Sequence, residues 1–166
     1  MSNQDKLHQL QQQLGYAFSD LTSLKLALTH RSAASQHNER LEFLGDAVLE
    51  LAVTHRLYRQ FPGVDEGRLT RFRAQLVRKE SLAMKARALG VGKYLILGQG
   101  ERQSGGWERD SILADSLEAI LGAVFLESGL KAVTDIIERW FEVEFQGLDA
   151  KHVVKDAKTD LQEFLQ

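Results

Sequence analysis

The chain has 166 residues, 43% of them apolar and 27% charged, with one proline, no cysteine and a formal net charge of −2. That length suits one ordinary domain with a real core, and the lack of cysteine excludes a disulfide scaffold, a thiolate metal site and a cysteine nucleophile. There is neither a run of 18 apolar residues nor a basic, then apolar leader, so the expectation is a soluble, cytoplasmic protein with no membrane partner.

The hydrophobic pattern predicts an all-α fold. Leu7, Leu10 and Leu14 define an amphipathic first helix that stops at Gly15, a residue suited to a left-handed cap. Ser19 is expected to cap a second helix carrying Leu21, Leu24 and Leu28. A long third helix spans residues 38–59 and ends before Pro62-Gly63, with Leu41, Leu44, Val48, Leu51 and Ala52 on its buried face. After the turn at 64–67, a basic helix points Leu69, Phe72, Leu76 and Val77 inward, and another runs over 81–89 to Gly90. The one strand-like run, 94–97, is too short to build a sheet. Residues 97–107 contain Gly98, Gly100, Gly105 and Gly106 and read as a loop. Asp110 or Ser111 then caps a long apolar helix ending near Glu127, and a further helix covers 130–145.

Charge is unevenly spread along this order. Residues 56–109 hold 12 Lys/Arg against 5 Asp/Glu, a surplus of 7 that leaves −9 on the rest of the chain. Such asymmetry suggests a polyanionic partner beside an acidic, cation-binding region. Arg68, Arg71, Arg73 and Arg78 lie on or next to one helix, as phosphate contacts or as an ordinary solvated face.

The carboxylates are more specific. At about 100° per residue, Glu39, Glu42 and Asp46 fall within roughly 60° of one another on the third helix, opposite its apolar stripe. Like charges at this spacing weaken a helix by a few tenths of a kcal/mol per pair. A bound hard cation removes that repulsion, and carboxylate oxygens suit Mg²⁺. Glu50 continues the stripe. On the later apolar helix Asp115 and Glu118 share a face, with Leu113, Leu117, Ile120 and Val124 opposite. Gly122, four residues beyond Glu118, leaves room there for another helix or a ligand. Two such helices packed side by side bring their carboxylates to one metal site. Glu66 is a further candidate ligand, or opens its helix and complements the dipole. An all-oxygen donor set without His or Cys spacing favours Mg²⁺ or Mn²⁺ over zinc. Phe43 flanks the acidic stripe, as an exposed subunit contact or as a residue covered by a neighbouring helix.

The glycine-rich stretch 98–106 lacks the preceding long strand and the Gly-Lys-Ser/Thr ending of a P-loop, so no nucleotide cofactor is expected. No Gly-x-Ser-x-Gly elbow occurs either.

Residues 38–49, Asn-Glu-Arg-Leu-Glu-Phe-Leu-Gly-Asp-Ala-Val-Leu, resemble the signature motif of ribonuclease III. Leu28-Thr29-His30-Arg31-Ser32, the turn 61–67 and the acidic helix 111–122 resemble further segments of that family, in order and at its spacing. The resemblance implies a homodimeric, Mg²⁺-dependent helical endonuclease. Such an enzyme cuts both strands of double-stranded RNA and leaves 5′-phosphate and 3′-hydroxyl ends. By position, Glu42, Asp46, Asp115 and Glu118 would be the catalytic and metal-site carboxylates. Glu39 and Glu66 would assist RNA binding or orientation, and Phe43 would insert into a partner's pocket at the dimer interface. Residues 1–148 would form the endonuclease domain and 149–155 a linker. Residues 156–166 resemble the first helix of the double-stranded RNA-binding domain of bacterial members, with Ala157 and Asp160 where those have proline and a basic residue. The chain is accordingly read as a shortened form of a longer enzyme.

Overall fold

A computed structural model of the chain describes residues 3–148. The linker and binding-domain helix expected at 149–166 lie outside the described residues. Among the described residues eight α-helices follow one another: α1 (Asn3–Leu14), α2 (Leu21–Ala27), α3 (Glu39–Gln60), α4 (Glu66–Val77), α5 (Lys79–Ala88), α6 (Gln99–Gln103), α7 (Asp110–Trp140) and α8 (Glu142–Gly147). Short 3₁₀ turns stand at Val91–Tyr94 and Gly106–Glu108. The expected all-α class is what forms.

The centre of the fold is α7. Ile112, Leu113, Leu117, Ala119, Ile120, Leu121, Ala123 and Val124 are all buried, so its first half is apolar around most of its circumference. A helix of that kind must be surrounded, and α3, α5 and α2 pack against it. Each fully buried Leu or Ile contributes about 1.5–3 kcal/mol relative to exposure. The buried Asn38 is satisfied: its amide donates to the Ala27 carbonyl at 3.1 Å and to Ser116 Oγ at 3.4 Å. The far end of α7 is tied to α1, where Trp140 Nε1 donates to the Leu14 carbonyl at 3.0 Å.

The crossing of α3 over α7 needs two glycines. A β-carbon at Gly45 would meet the Gly122 nitrogen at 2.9 Å and the Glu118 carbonyl more closely still. One at Gly122 would meet the Gly45 nitrogen at 3.2 Å and press into the Leu41 carbonyl. Neither fits without moving a helix. The gap foreseen at Gly122 is therefore filled by α3 itself.

Several boundaries differ from the sequence reading. Asp20, not Ser19, caps α2 by accepting from the Thr22 N–H at 2.8 Å. Asp110 lies inside the first turn of α7, whose cap position is Arg109. The two helices expected beyond residue 110 join into one element bent at Gly129, where φ is 76°. The expected loop at 97–107 holds α6, and the strand-like run makes only an isolated parallel bridge between Thr29 and Ile96. Leu51, expected inside, is 53% exposed because α3 turns that edge away from α7.

Candidate metal centre

Glu42 stands one turn before Gly45 on α3, and Asp115 and Glu118 stand one turn apart ahead of Gly122 on α7. Because the glycine crossing brings the two backbones together, one oxygen from each of these three residues lies within 4.8 Å of the other two. That span is comparable with the roughly 4 Å across a six-coordinate Mg²⁺ whose oxygens lie at 2.0–2.1 Å. All three side chains are partly buried.

Their electrostatics record the crowding. Burial, followed by Asp46 and Asp115, pushes Glu118 up to about 8. Burial and then Asp115 raise Glu42, while burial raises Asp115 against an opposing contribution from the Lys79 ammonium. Carboxylates held apart from water and next to one another favour protonation unless a cation compensates them. The donor set, hard oxygen throughout, fits a divalent cation of the Mg²⁺ type.

The other expected residues divide. Asp46 lines the same cavity of about 370 Å³, together with Lys79, but stands outside the group of three. Glu39 lines an adjoining cavity of about 580 Å³ with Glu42 and Asp115, and receives Arg31 Nη1 at 3.3 Å. Glu66 opens α4, accepts from Thr70 Oγ1 at 3.0 Å, and lines neither cavity. Glu50 is taken by Arg73 at 2.9 Å. Of the four arginines, Arg68 also has a carboxylate, Asp65, at 3.2 Å. Phe43 is 81% exposed on the rim of the carboxylate cavity, which answers the open question of its burial within one chain. Lys79 was not foreseen, because it begins α5 just after the helical break at Arg78 and no periodicity marks the direction it faces.

Residues 20–143 match the family model described as ribonuclease-III-like. The chain belongs to the ribonuclease III family. It is 54% identical over 160 residues to Ribonuclease 3 of Actinobacillus succinogenes, covering 96% of this chain and 71% of that protein. Against Ribonuclease 3 of Vibrio vulnificus the identity is 52% over the same shares. Among solved structures, the nuclease domain of ribonuclease III from Campylobacter jejuni superposes with a TM-score of 0.81 at 45% identity, over 83% of this chain and 97% of that one. Its description concerns flexibility in a region involved in dimer formation. Dicer from Pichia stipitis is more distant, with a TM-score of 0.62 at 33% identity over 78% of this chain and 58% of its own. As a ribonuclease III domain, the chain carries its carboxylate groove where α3 and α7 cross.

Proposed function

We infer that this chain is a divalent-metal-dependent endoribonuclease. It hydrolyses phosphodiester bonds in both strands of double-stranded RNA, as in rRNA and mRNA processing, and leaves 5′-phosphate and 3′-hydroxyl ends. The observation that carries this reading is the meeting of Glu42, Asp115 and Glu118 at the α3–α7 crossing of a ribonuclease III chain.

In this reading Glu42, Asp46, Asp115 and Glu118 hold the cation, Mg²⁺ in the first place and Mn²⁺ as a substitute. When bound, it makes a water nucleophilic near neutral pH and offsets the charge that develops on the departing 3′ oxygen. The chain's own groups prepare for this. Burial in the groove keeps the carboxylates poorly hydrated and oriented by helix backbones, so little reorganisation is needed when RNA arrives. Lys79, beside Asp115, keeps one cationic side chain at the rim for the substrate's phosphates. Glu39, joined to Arg31, orients RNA at the adjoining end of the groove. Glu66 is assigned its auxiliary RNA role on its motif position.

Cutting two strands calls for two such centres, which a two-fold homodimer supplies. Phe43, Leu51 and Tyr58 are 81%, 53% and 72% exposed along one edge of α3, and an apolar edge of this length supports a subunit contact. No described helix is long and apolar enough to cross a membrane. The proposed place of action is the cytoplasm.

The deciding experiment incubates an end-labelled RNA duplex with the protein, with Mg²⁺ and with excess chelator, and resolves the products on a denaturing gel. Discrete cuts on both strands with Mg²⁺ alone are expected. Equal degradation in both arms would overturn the reading.

A further inference from the structure

A cavity apart from the carboxylate groove stands out by its charge. It measures about 650 Å³ and lies on the other side of the 97–109 segment, between α1, α2 and the Val91–Tyr94 turn. No lining residue is shared with either carboxylate cavity. The segment itself is the partition: Glu101 faces the carboxylate side and its neighbour Arg102 the other.

The chemistry of the lining is one-sided. Lys6, Lys25, Lys93 and Arg102 contribute four positive charges, and no Asp or Glu lines the cavity. Among the described residues none of these four joins a salt bridge, although elsewhere Arg31, Arg68, Arg73, Lys85, Arg87 and Arg109 all have carboxylate partners. The remaining polar side-chain groups are the Tyr94 hydroxyl and the Trp107 indole N–H, neither of which bonds to another described residue. Every charged side chain offers only donors, and the indole adds one more. Four cations around one hollow, none of them salt-bridged among the described residues, repel one another, and a multiply charged anion relieves that repulsion. Leu7, Leu95 and Leu97 give the hollow an apolar floor, and Trp107 is 45% exposed at its edge.

We propose that this basic cavity is a second ligand site that binds a nucleotide unit, its phosphates on the lysines and Arg102 and its base against Trp107. Arginine and lysine both suit phosphate, and base stacking on an aromatic ring is worth about 1–3 kcal/mol. The volume falls within the roughly 300–1,000 Å³ typical of small-ligand pockets. The chemistry is shared by a free nucleotide and by an unpaired nucleotide at the end of an RNA, and the site stands independently of the metal centre.

Calorimetric titration of the chain with ADP, pyrophosphate and a short 5′-phosphorylated single-stranded oligonucleotide, all in chelator, tests this. Saturable ADP binding is expected, tighter than pyrophosphate, reduced tenfold or more in a Lys25→Ala/Lys93→Ala variant whose circular dichroism and melting match the parent. Trp107→Ala should bring ADP down to the affinity of pyrophosphate. Oligonucleotide binding that competes with ADP and exceeds it assigns the site to RNA ends; stronger ADP binding assigns it to a free nucleotide. No saturable heat from any probe, affinity unchanged in the lysine variant, or ADP no tighter than pyrophosphate overturns the proposal.

Discussion

Gly45 of α3 and Gly122 of α7 face each other so closely that a β-carbon on Gly122 would stand 3.2 Å from the Gly45 nitrogen. Every distance between the carboxylates of α3 and those of α7 depends on that approach. Glu42 and Glu118 are about one turn from the two glycines and cannot meet if the helices separate.

Gly45→Ala and Gly122→Ala are therefore expected to harm the fold and the site together. Overpacking a tight core contact costs about 1–3 kcal/mol, occasionally more. For a chain of this size each kcal/mol corresponds to about 2–4 °C in Tm. Differential scanning calorimetry should find the loss, and the rise in Tm with Mg²⁺ that is expected of the parent should disappear. Parent-like melting with an intact Mg²⁺ response would mean that the helices do not touch here.

Glu118→Gln separates chemistry from folding. The substitution keeps shape and removes one ligand oxygen from a partly buried residue that is otherwise disposed to remain protonated. Duplex cleavage should nearly vanish, while elution as a dimer and melting in chelator stay close to the parent. The Mg²⁺-dependent gain in Tm should shrink, since a ligand stabilises only in proportion to its binding. Near-normal turnover would remove Glu118 from the metal centre.

The pH dependence of the metal-free protein has an uncommon sign. A carboxyl whose pKa is raised by folding holds more protons in the native state than in the unfolded one, so stability declines as pH rises between the two values. For Glu118 the interval runs from the ordinary carboxylate range up to about 8, and Glu42 and Asp115 act in the same direction. In chelator, Tm should fall steadily between about pH 5 and pH 8. Saturating Mg²⁺ should flatten that decline. A Tm that rises over the same interval without metal would contradict the crowding described here.

What could be read from residues alone follows from helical period. Glu39, Glu42 and Asp46 repeat at intervals that keep them on one face, and Asp115 and Glu118 do likewise, so the groove is legible in the sequence. Period does not report distance, however. It could not tell that Asp46, on the far side of Gly45, stands outside the group formed by Glu42, Asp115 and Glu118. Nor could it detect α6, because glycines at 98, 100, 105 and 106 mask a turn whose start is held by a long-range bond, from the Gly98 N–H to Ser32 Oγ at 2.9 Å. Leu51 sits at the margin of the apolar arc, where a helix wheel cannot decide between α7 and solvent.

The exposed edge of α3 should govern association. Phe43→Ala removes the most exposed large apolar side chain among the described residues, and truncating an aromatic anchor at an interface commonly costs 2 kcal/mol or more. Sedimentation equilibrium should show the dimer dissociation constant rising by about 30-fold or more, since about 1.4 kcal/mol is tenfold. Tm at high protein concentration should change little. An unaltered constant would place the contact elsewhere, with Leu51 and Tyr58 exposed for another reason.

Lys79 lines the carboxylate cavity and opposes the raised pKa of Asp115, yet among the described residues it forms no salt bridge. Its charge must also oppose an incoming divalent cation. An exposed charge acting at this range is worth about 0.2–1 kcal/mol, so Lys79→Gln should lower the Mg²⁺ concentration for half-maximal thermal stabilisation by up to about fivefold. The effect should weaken as ionic strength rises, because exposed charges are screened beyond about 8 Å at 0.15 M salt. RNA affinity in chelator should move the other way and weaken, as one phosphate contact is lost. If the variant instead needs more Mg²⁺ than the parent, Lys79 would be holding the carboxylates in place for the metal, and its role as a rim cation for RNA would have to be abandoned.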